Sequence, residues 1–415
     1  MERRTFIKNS SLAAIGTGIG LWSCKGNKFN LVPVPENEKI RIGVVGIGAR
    51  GTDILRVLSK VAEFKVVAIC DVLDFRIENA KNHIGNEIKI YSDYRKLLDE
   101  KILDAIVIST PLHEHYPIAI DALDAGLHIM CEKALTHTLE QAESLYAKAL
   151  QSTKLFQVSY QYQLNPTFNL IRELIEKGHC GKITRIEGVW NRNSNWRREP
   201  PSPELERQVN WRLYNAYSAG LMAELGSHQL NLIDTIAGSH PLKIMGTGGI
   251  DYWKDGRETF DNVYALFDYP GGIKASFSSN LANEYEGFTM KFKGDKATIV
   301  TSFMDEAFIY PEKDTDMNWD ENTDGVTGAS IKIIDKTRRR EISGKKSDKT
   351  IYPFDTHYFN TTWLLYKNFA AAINGKEKLL LGLKDGFRSA LSVHLANSAI
   401  AGANVVYWPE QYSVL

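Results

Sequence analysis

Three side chains in this sequence are of types that can move a proton on and off a hydroxyl group. Lys133 follows an apolar run at residues 128–131 that predicts a strand, so its ammonium is expected at the carboxyl end of that strand. Glu224 and His228 are four residues apart in a predicted helix and would share one face, where a carboxylate can orient or charge an imidazole. An imidazole can accept a hydroxyl proton near neutral pH. The pattern therefore predicts acid–base chemistry at a hydroxyl.

A glycine-rich turn supplies the second chemical signal. Residues 41–51 read as a buried strand, a tight turn and the start of a helix, with glycines in the G-x-G-x-x-G spacing. In that motif the first glycine makes the turn, the second lets backbone approach a pyrophosphate, and the third lets the helix pack on the strand. The helix N-terminus then presents unpaired N–H groups to the phosphates. The candidate cofactor contacts in the turn are Gly46, Ile47, Gly48, Ala49, Arg50 and Gly51.

An acid at the end of the next strand completes the dinucleotide pattern. Asp71 follows Gly51 by 20 residues, where a carboxylate would hold the ribose hydroxyls. This carboxylate favours NAD, because it would repel the 2′-phosphate of NADP, although Arg50 and Arg76 leave NADP open. Ser109 and Thr110 end a later buried strand and are further cofactor candidates at the same carboxyl edge of the sheet.

Two kinds of folding pattern divide the chain after its first 37 residues. Strands and helices alternate over residues 38–158, which predicts a Rossmann dinucleotide-binding domain with one parallel sheet. Residues 159–415 predict an α/β domain with a large, mostly antiparallel sheet, because several alternating strands with glycine turns lie between residues 242 and 310. A helix is predicted over 219–237. The charged segment 312–349 is predicted to be a surface excursion.

Composition limits the range of functions. The 415 residues suffice for about two domains, and Lys+Arg and Asp+Glu balance at 50 each. There is no basic excess to attract nucleic acid. Four cysteines do not make a disulfide framework.

Residues 1–37 are predicted to be a signal and tether. Arg3 and Arg4 precede a modest apolar stretch at 12–21, which is the shape of a twin-arginine export signal, and residues 21–24 resemble a lipoprotein cleavage box with Cys24 as the lipidated residue. We therefore expect an exported protein, either periplasmic or anchored to a membrane. Because no nicotinamide pool exists outside the cytoplasm, a tightly held and internally recycled cofactor is expected.

Several further segments accompany the glycine turn: residues 91–94, 109–115, 125–133, 211–212, 219–220 and 226–228. Together with the turn, they resemble landmarks of the Gfo/Idh/MocA (glucose–fructose oxidoreductase/inositol dehydrogenase) family. The resemblance covers about residues 40–410. It implies a nucleotide-binding domain followed by a domain whose sheet serves as substrate floor and oligomer contact. An NAD(P) cofactor, a sugar or glycoside substrate and a homo-oligomer are implied with it.

The resemblance also assigns roles to individual positions. Lys133 becomes catalytic and a substrate contact, with Glu132 near the cofactor and Ala134 where the family usually has proline. His228 becomes the general base and a substrate contact, and Glu224 stands where the family commonly has aspartate. The remaining implied cofactor contacts are His115, Gln161, Trp211 and Arg212, and the remaining implied substrate contacts are Tyr160, Tyr214 and Tyr217.

Three functions compete at this point. The first is hydride transfer between a sugar hydroxyl and a nicotinamide. The second is a redox-neutral hydrolase like the NAD-dependent α-N-acetylgalactosaminidases, although those carry a His-Gly pair where this chain reads Gly226-Ser-His228. The third is a sugar-binding lipoprotein without activity, which intact Lys133 and His228 argue against. His113 and His115 form an H-x-H pair, but no third ligand follows at a sensible spacing, so no metal is predicted.

Overall fold

The computed structural model describes residues 34–81, 87–302, 306–312, 329–333, 340–344, 353–354 and 356–415. The predicted export signal and Cys24 lie outside these residues. No helix in the described part of the chain is long and apolar enough to cross a membrane.

A six-stranded parallel sheet forms the first domain. Its strands are β1 (Ile40–Val45), β2 (Phe64–Cys70), β3 (Lys89–Tyr91), β4 (Ala105–Ile108), β5 (His128–Cys131) and β6 (Phe156–Val158), in the spatial order β3-β2-β1-β4-β5-β6. The connecting helices are α1 (Ala49–Leu58), α2 (Asp74–Ala80), α3 (Tyr94–Asp99), α4 (His115–Asp124) and α5 (Leu139–Ala149). This is the doubly wound order in which a ligand binds where the strand order reverses, beside β1 and β4. The predicted Rossmann fold is confirmed.

The central strands are apolar along their whole length because helices cover both faces of the sheet. All four residues of β4 are buried, and β1 is buried at every position except Arg41. The sheet therefore fixes the carboxyl ends of β1, β2, β4 and β5 side by side, and the glycine turn, Asp71, Ser109 and Lys133 follow those ends.

A ten-stranded sheet forms the second domain. Its strands are β7 (Ile183–Asn193), β8 (Lys243–Gly249), β9 (Asn262–Asp268), β10 (Lys274–Asn280), β11 (Ala282–Gly294), β12 (Ala297–Ser302), β13 (Glu306–Pro311), β14 (Ala329–Ile333), β15 (Arg340–Gly344) and β16 (Val406–Tyr407). Their order is β14-β15-β13-β12-β11-β7-β10-β9-β8-β16, and β7 with β10 is the one parallel pair among them. The predicted large, mostly antiparallel sheet is confirmed.

Two strands lie within the charged segment 312–349, which was predicted to be a surface excursion. β14 and β15 pair antiparallel there, at the edge of the sheet, and β15 also pairs with β13. Main-chain hydrogen bonds at the edge of a sheet do not require an apolar side-chain pattern, so composition alone gave no sign of these strands.

Five helices complete the fold: α6 (Pro166–Glu176), α7 (Glu206–Val209), α8 (Ser227–Ala237), α9 (His357–Ile373) and α10 (Leu383–Gly402). The single helix predicted over 219–237 is in fact a π-helical turn, Met222–Gly226, followed by α8. Gly226 lies so close to β10 that an added Cβ would be 2.9 Å from the Phe277 ring. The wide turn and the absent side chain together let the chain approach the sheet at this point.

The last two long helices return to the first domain. Gly386 of α10 lies against β6, where a Cβ would be 2.2 Å from Val158. From α9, the Trp363 indole donates to the carbonyl of Lys60, just beyond α1, at 2.9 Å. These contacts hold the two domains around one cleft at the carboxyl edge of the parallel sheet.

Candidate active site

The glycine turn has the close backbone approaches that its spacing predicts. Gly46 has a φ of +90°, and a Cβ there would lie 2.6 Å from the amide nitrogen of Thr110. A Cβ on Gly51 would lie 1.9 Å from the carbonyl oxygen of Gly46, so only glycine lets α1 pack this closely. Gly48 immediately precedes α1 and opens toward Arg76, whose Nη1 lies 2.9 Å from the position of a Cβ. The turn thus leads into the first amides of α1, which have no partner within the helix and can receive an anion.

Asp71 is buried and braces this turn. One carboxylate oxygen accepts the amide of Ile47 at 2.6 Å, and the other accepts the amide of Leu73 at 2.9 Å. The acid is therefore held in place by main-chain donors before any ligand binds, and each oxygen retains a lone pair for a ribose hydroxyl.

The end of β4 contributes one polar group with no protein partner. The Ser109 hydroxyl donates to the Gly46 carbonyl at 2.8 Å, so it supports the turn. The Thr110 hydroxyl is buried and has no hydrogen-bond partner. His115 donates from Nε2 to the Thr110 carbonyl at 3.1 Å, and burial lowers the pKa of His115 to about 4, so this imidazole is neutral near pH 7. His115 therefore orients the strand end.

The Arg50 side chain was predicted to contact the cofactor, but in the structure it binds groups of the protein. Its guanidinium pairs with Glu132 at 2.7 Å and donates to the Tyr358 hydroxyl at 2.9 Å and to Thr362 and Ser159 at 3.2 Å. Although burial opposes it, the Glu132 carboxylate raises the pKa of Arg50. Arg50 is therefore engaged by protein groups of both domains and is not free to bind a 2′-phosphate. Glu132 is occupied by the same pair.

Lys133 extends from the end of β5 toward the second domain. Its Nζ donates to the main-chain carbonyl of Glu224 at 2.7 Å, and the peptide bond between Lys133 and Ala134 is cis. Burial lowers the pKa of Lys133, while the carboxylates of Glu224 and Glu132 oppose that effect. The ammonium keeps two further N–H donors for other groups in the cleft.

Glu224 does not pair with His228 as its spacing predicted. Its carboxylate accepts from Arg212 Nε at 2.8 Å, and there is no hydrogen bond between Glu224 and the imidazole. The prediction assumed an α-helix, but Glu224 lies in the π-helical turn, which displaces the face it shares with later residues. Burial would raise the pKa of Glu224, yet the charges of Arg212 and Lys133 lower it, so the carboxylate stays ionised.

His228 lies in the first turn of α8 within an aromatic group. The Tyr162 ring is 4.7 Å from the imidazole, centroid to centroid, the Trp190 ring 5.9 Å and the Tyr160 ring 6.1 Å. Its Nδ1 is buried without a hydrogen-bond partner. Burial lowers the pKa of His228 well below its ordinary value, and the charges of Lys133 and Arg50 lower it further. The imidazole is therefore neutral near pH 7 and close to Lys133.

The two residues predicted to follow β6 have different surroundings. Gln161 is buried, and its carbonyl oxygen Oε1 has no hydrogen-bond partner, so it can receive a donor from a ligand. Tyr160 is 1% exposed and its ring meets His228 edge to face. The Tyr160 hydroxyl is buried without a hydrogen-bond partner, so the substrate contact predicted at Tyr160 stays a prediction.

The segment before the π-helical turn was predicted to cover the nicotinamide and contact sugar, and its tyrosines are partly engaged within the protein. Trp211 is buried beneath the guanidinium of Arg212, which lies 4.2 Å from the ring centroid. The Tyr214 hydroxyl donates to Glu206 at 2.9 Å, so it is not free for sugar. Tyr217 is half-buried, with its ring 4.8 Å from that of His113. Tyr217 is thus the better placed of the two predicted tyrosines.

Sequence reasoning missed the wall of the site that the large sheet contributes. Trp190 of β7 lies 4.9 Å from the Phe288 ring of β11, and Tyr162 contacts both Trp190 and His228. Arg192, two residues beyond Trp190, lies 5.2 Å above the Trp190 ring. The alternation in β7 carried a usable signal, because Ile186, Gly188 and Trp190 are buried and the exposed Arg192 follows them at the same parity of the strand.

The residues around the cleft fit a dinucleotide. Three buried polar atoms in this region have no hydrogen-bond partner: Thr110 Oγ1, Gln161 Oε1 and His228 Nδ1. Gly48 leaves space beside Arg76 that the Cβ of any other residue would partly fill. The described residues contain no group of three or more His, Cys, Asp or Glu side chains that would hold a metal ion. His113 instead pairs with Glu114 at 3.2 Å.

Comparison with known proteins gives the same assignment of the fold. The model of an oxidoreductase family with an NAD-binding Rossmann fold matches residues 40–160, and that of the GFO/IDH/MocA C-terminal domain matches residues 168–300. Levoglucosan dehydrogenase of Pseudarthrobacter phenanthrenivorans is 29% identical over 237 residues, which cover 51% of this chain and 58% of that protein. Glycosyl hydrolase family 109 protein 2 of Shewanella sp. (strain ANA-3) is 25% identical over 242 residues, 52% of this chain and 51% of that protein.

The similarity to these curated relatives thus spans about half of their length. A solved structure of levoglucosan dehydrogenase in complex with NADH superposes with a TM-score of 0.73 at 19% identity, covering 89% of this chain and 99% of that chain. At this level of identity the superposition shows a shared fold.

Proposed function

Because the chain belongs to the Gfo/Idh/MocA family of oxidoreductases, we propose that it is an NAD-dependent dehydrogenase that oxidises a hydroxyl group of a sugar or glycoside. The observation that supports this most strongly is the convergence of Lys133 and His228, one from each domain, in a cleft bordered by the glycine turn. An ammonium, a neutral imidazole and a hydride acceptor are together sufficient to convert a secondary alcohol to a ketone.

The residues that would hold the cofactor are the amides of the glycine turn, Asp71 at the ribose, and Thr110 and Gln161, whose unpartnered oxygens lie at the cleft. A bound NAD⁺ supplies the carbon that accepts the hydride. The braced carboxylate of Asp71 favours NAD over NADP, and Arg50 does not offset this preference because Glu132 already neutralises it.

The protein's own groups manage the proton and the oxygen. His228, neutral near pH 7, accepts the proton of the substrate hydroxyl as the C–H bond breaks and the C=O bond forms. Lys133 donates a hydrogen bond to the same oxygen and steadies it through the change from alcohol to ketone, while the Glu224 carbonyl fixes the ammonium in place. Arg212 keeps the Glu224 carboxylate paired, so that it does not compete for the ammonium.

Replacement of the lysine tests the proposed mechanism. Lys133→Met should lower kcat on the best sugar by at least about a hundredfold, as expected for the loss of a group that acts on the reacting oxygen. Binding of NAD⁺, followed by quenching of tryptophan fluorescence, should change by less than about threefold. A variant that retains full turnover would remove Lys133 from the mechanism.

A redox-neutral glycosidase is the second candidate, favoured by the similarity to the glycosyl hydrolase family 109 protein. In such a reaction a transient ketone acidifies the neighbouring C–H, the glycosidic bond breaks by elimination, and the hydride returns. Incubation with nitrophenyl glycosides and free sugars separates the candidates, with nicotinamide absorbance and nitrophenol release recorded together. Net reduction supports the dehydrogenase, and release without net reduction supports the glycosidase.

The proposal extends to export of the chain with its cofactor held tightly. Arg3, Arg4 and Cys24 support this in the sequence. Fractionation of cells that produce the protein should place it in the envelope, and Arg3→Lys with Arg4→Lys should leave it in the cytoplasm. Protein purified from the envelope without added nucleotide should retain NAD detectable by mass spectrometry. Recovery of an empty protein would count against the trapped cofactor.

The proposal further includes self-association through the outer face of the large sheet. Tyr264 and Leu266 of β9 are 49% and 40% exposed, and Tyr407 of β16 is exposed beyond them. A contiguous apolar area of this kind supports a protein–protein contact. Light scattering should give a dimer or tetramer, and Leu266→Lys should shift the mass toward the monomer. A wild-type protein that is monomeric at micromolar concentration would contradict the proposal.

A further inference from the structure

Three guanidinium groups around the cleft form no ion pair within the described residues. Arg76 of α2, Arg192 of β7 and Arg198 of the loop after β7 have no ion pair and no side-chain hydrogen bond there. The other two arginines of this region, Arg50 and Arg212, are paired with Glu132 and Glu224.

Two of the three guanidiniums lie where a dinucleotide would place its phosphates. Arg76 faces Gly48 of the glycine turn, with Nη1 2.9 Å from the position of a Cβ. Burial has the largest effect on the pKa of Arg76 and lowers it; the Asp71 carboxylate raises it, and the charge of Arg198, which comes from the other domain, lowers it further. A pyrophosphate has one negative charge on each phosphate, so it would balance this pair.

Arg192 lies apart from that pair, on the substrate side of the cleft. Its guanidinium is 5.2 Å above the Trp190 ring, and Trp190 and Tyr162 both contact His228. Arg192 is exposed at the end of β7. Desolvation by its neighbours, together with the charge of Arg212, lowers the pKa of Arg192. The guanidinium lies over the Trp190 ring, and its N–H groups form no hydrogen bond within the described residues.

Arg192 is therefore a cation that forms no ion pair, and it lies over the Trp190 ring, which contacts His228. We infer that the substrate is an acidic sugar and that Arg192 binds its carboxylate through a bidentate pair. A planar guanidinium matches a carboxylate better than it matches a neutral hydroxyl, and such a charge-assisted pair is among the stronger hydrogen-bonded contacts. The inference rests on the proposed function for the identity of the reacting sugar, but the binding step stands apart from any turnover.

Binding of matched sugars tests this inference directly. The protein saturated with NAD⁺ is titrated with glucuronate and glucose, and with galacturonate and galactose, by calorimetry and by the fluorescence of Trp190 and the other tryptophans. In at least one pair the acid should bind about tenfold or more tightly than the neutral sugar, and added salt should weaken only the acid. Equal affinity for acid and neutral sugar in both pairs would overturn the inference.

Three variants identify the residue responsible. Arg192→Gln should lower the ratio of acid to neutral affinity by about ten- to a hundredfold, and Arg192→Lys should lower it less, because charge is kept while the fork geometry is lost. Arg185→Gln is the matched control, since Arg185 lies on the opposite face of β7, seven residues earlier, beside Glu187 at 3.7 Å. An unchanged ratio in Arg192→Gln would refute the assignment, as would an equal loss in Arg185→Gln.

Two further ligands separate carboxylate from other anions and from failure of the proposed reaction. Tight binding of glucose 6-sulfate or glucose 6-phosphate without binding of either uronate would overturn the carboxylate assignment. Uronate binding that depends on Arg192, with no reduction of NAD⁺ by any sugar, would refute the proposed dehydrogenase and leave the binding site intact. Reduction of NAD⁺ by neutral sugars, with no preference for acids, would support the dehydrogenase and refute the role of Arg192.

Discussion

Replacement of Arg50 by methionine should destabilise the protein far more than the loss of an ordinary surface ion pair. The Arg50 and Glu132 side chains are only 18% and 10% exposed, and their charges meet at 2.7 Å. Arg50→Met removes this pair together with the bonds to Tyr358, Thr362 and Ser159, and it leaves the Glu132 carboxylate buried without a counter-charge. Removal of one partner of a buried pair costs about 3–5 kcal/mol.

A double-mutant cycle separates the pair from its surroundings. Glu132→Gln should also be costly, because it leaves a buried guanidinium unpaired. The combined Arg50→Met and Glu132→Gln variant should lose less than the sum of the single variants, with a coupling energy of about 1–3 kcal/mol. Simple additivity would mean that the two charges do not depend on each other in the folded state.

Urea unfolding of nucleotide-free protein, followed by tryptophan fluorescence, is the appropriate measurement, because bound nucleotide would add its own stabilisation. The matched control is Arg41→Met, which breaks an ion pair with Asp104 at the same 2.7 Å in the same domain, at side chains that are 49% and 39% exposed. That pair should contribute about 1 kcal/mol or less. If Arg50→Met costs no more than Arg41→Met, or if it selectively weakens NADP binding at unchanged stability, the structural role assigned to Arg50 is incorrect.

Two further predictions concern the acids of the site. If turnover needs the Lys133 ammonium, kcat/KM falls as pH rises through the lowered pKa of Lys133. Glu224→Gln removes a negative charge that raises this pKa, so the fall in kcat/KM should move to lower pH. Arg212→Gln removes a positive charge that lowers the pKa of Lys133, so the fall should move to higher pH. A shift in the same direction for both variants would contradict this account. Asp71→Asn places an amide NH₂ group against one of two main-chain donors, the N–H of Ile47 or that of Leu73. The substitution should destabilise nucleotide-free protein by about 1–3 kcal/mol and should also weaken NAD⁺ binding. An unchanged melting temperature without nucleotide would show that the acid contacts only the cofactor.

The first domain could be predicted from sequence because its signals are local. Runs such as Ala105–Ile108 are apolar at every position, which indicates a strand covered on both faces, and right-handed crossovers then allow few arrangements of the sheet. The glycine turn requires particular residues at particular positions, and the close approach at Gly51 shows why. Asp71 follows from the same motif, although its two main-chain hydrogen bonds do not.

The pairing of charged groups could not be predicted in the same way. Arg50 lies beside the phosphate cradle in sequence, yet its partners Tyr358 and Thr362 are more than three hundred residues away. Glu224 was assigned to His228 on the assumption of α-helical periodicity, and one π-helical turn was enough to change its partner to Arg212. Such partners depend on how the two domains dock, which no local pattern specifies.

The sheet wall was missed for a different reason, since part of the signal was present. Ile186, Gly188 and Trp190 are buried positions of β7, and Arg192 has the same parity although it is exposed. The alternation of β7 therefore indicated that Arg192 lies on the same side of the strand as Trp190. Only the structure shows that its guanidinium lies over the Trp190 ring and that this ring lies beside His228.

The corrected partners also decide which group takes the substrate proton. Glu224 is a poor base, because Arg212 and Lys133 lower its pKa and its carboxylate is already engaged. Lys133 holds the carbonyl of Glu224 and, as an ammonium, has only protons to give. His228 is neutral and has an unpartnered ring nitrogen, and the nearby charges of Lys133 and Arg50 that keep it neutral also favour quick release of any proton it takes up. The π-helical turn thus assigns the three groups to separate tasks, because it keeps the carboxylate with Arg212 and leaves the imidazole as the acceptor.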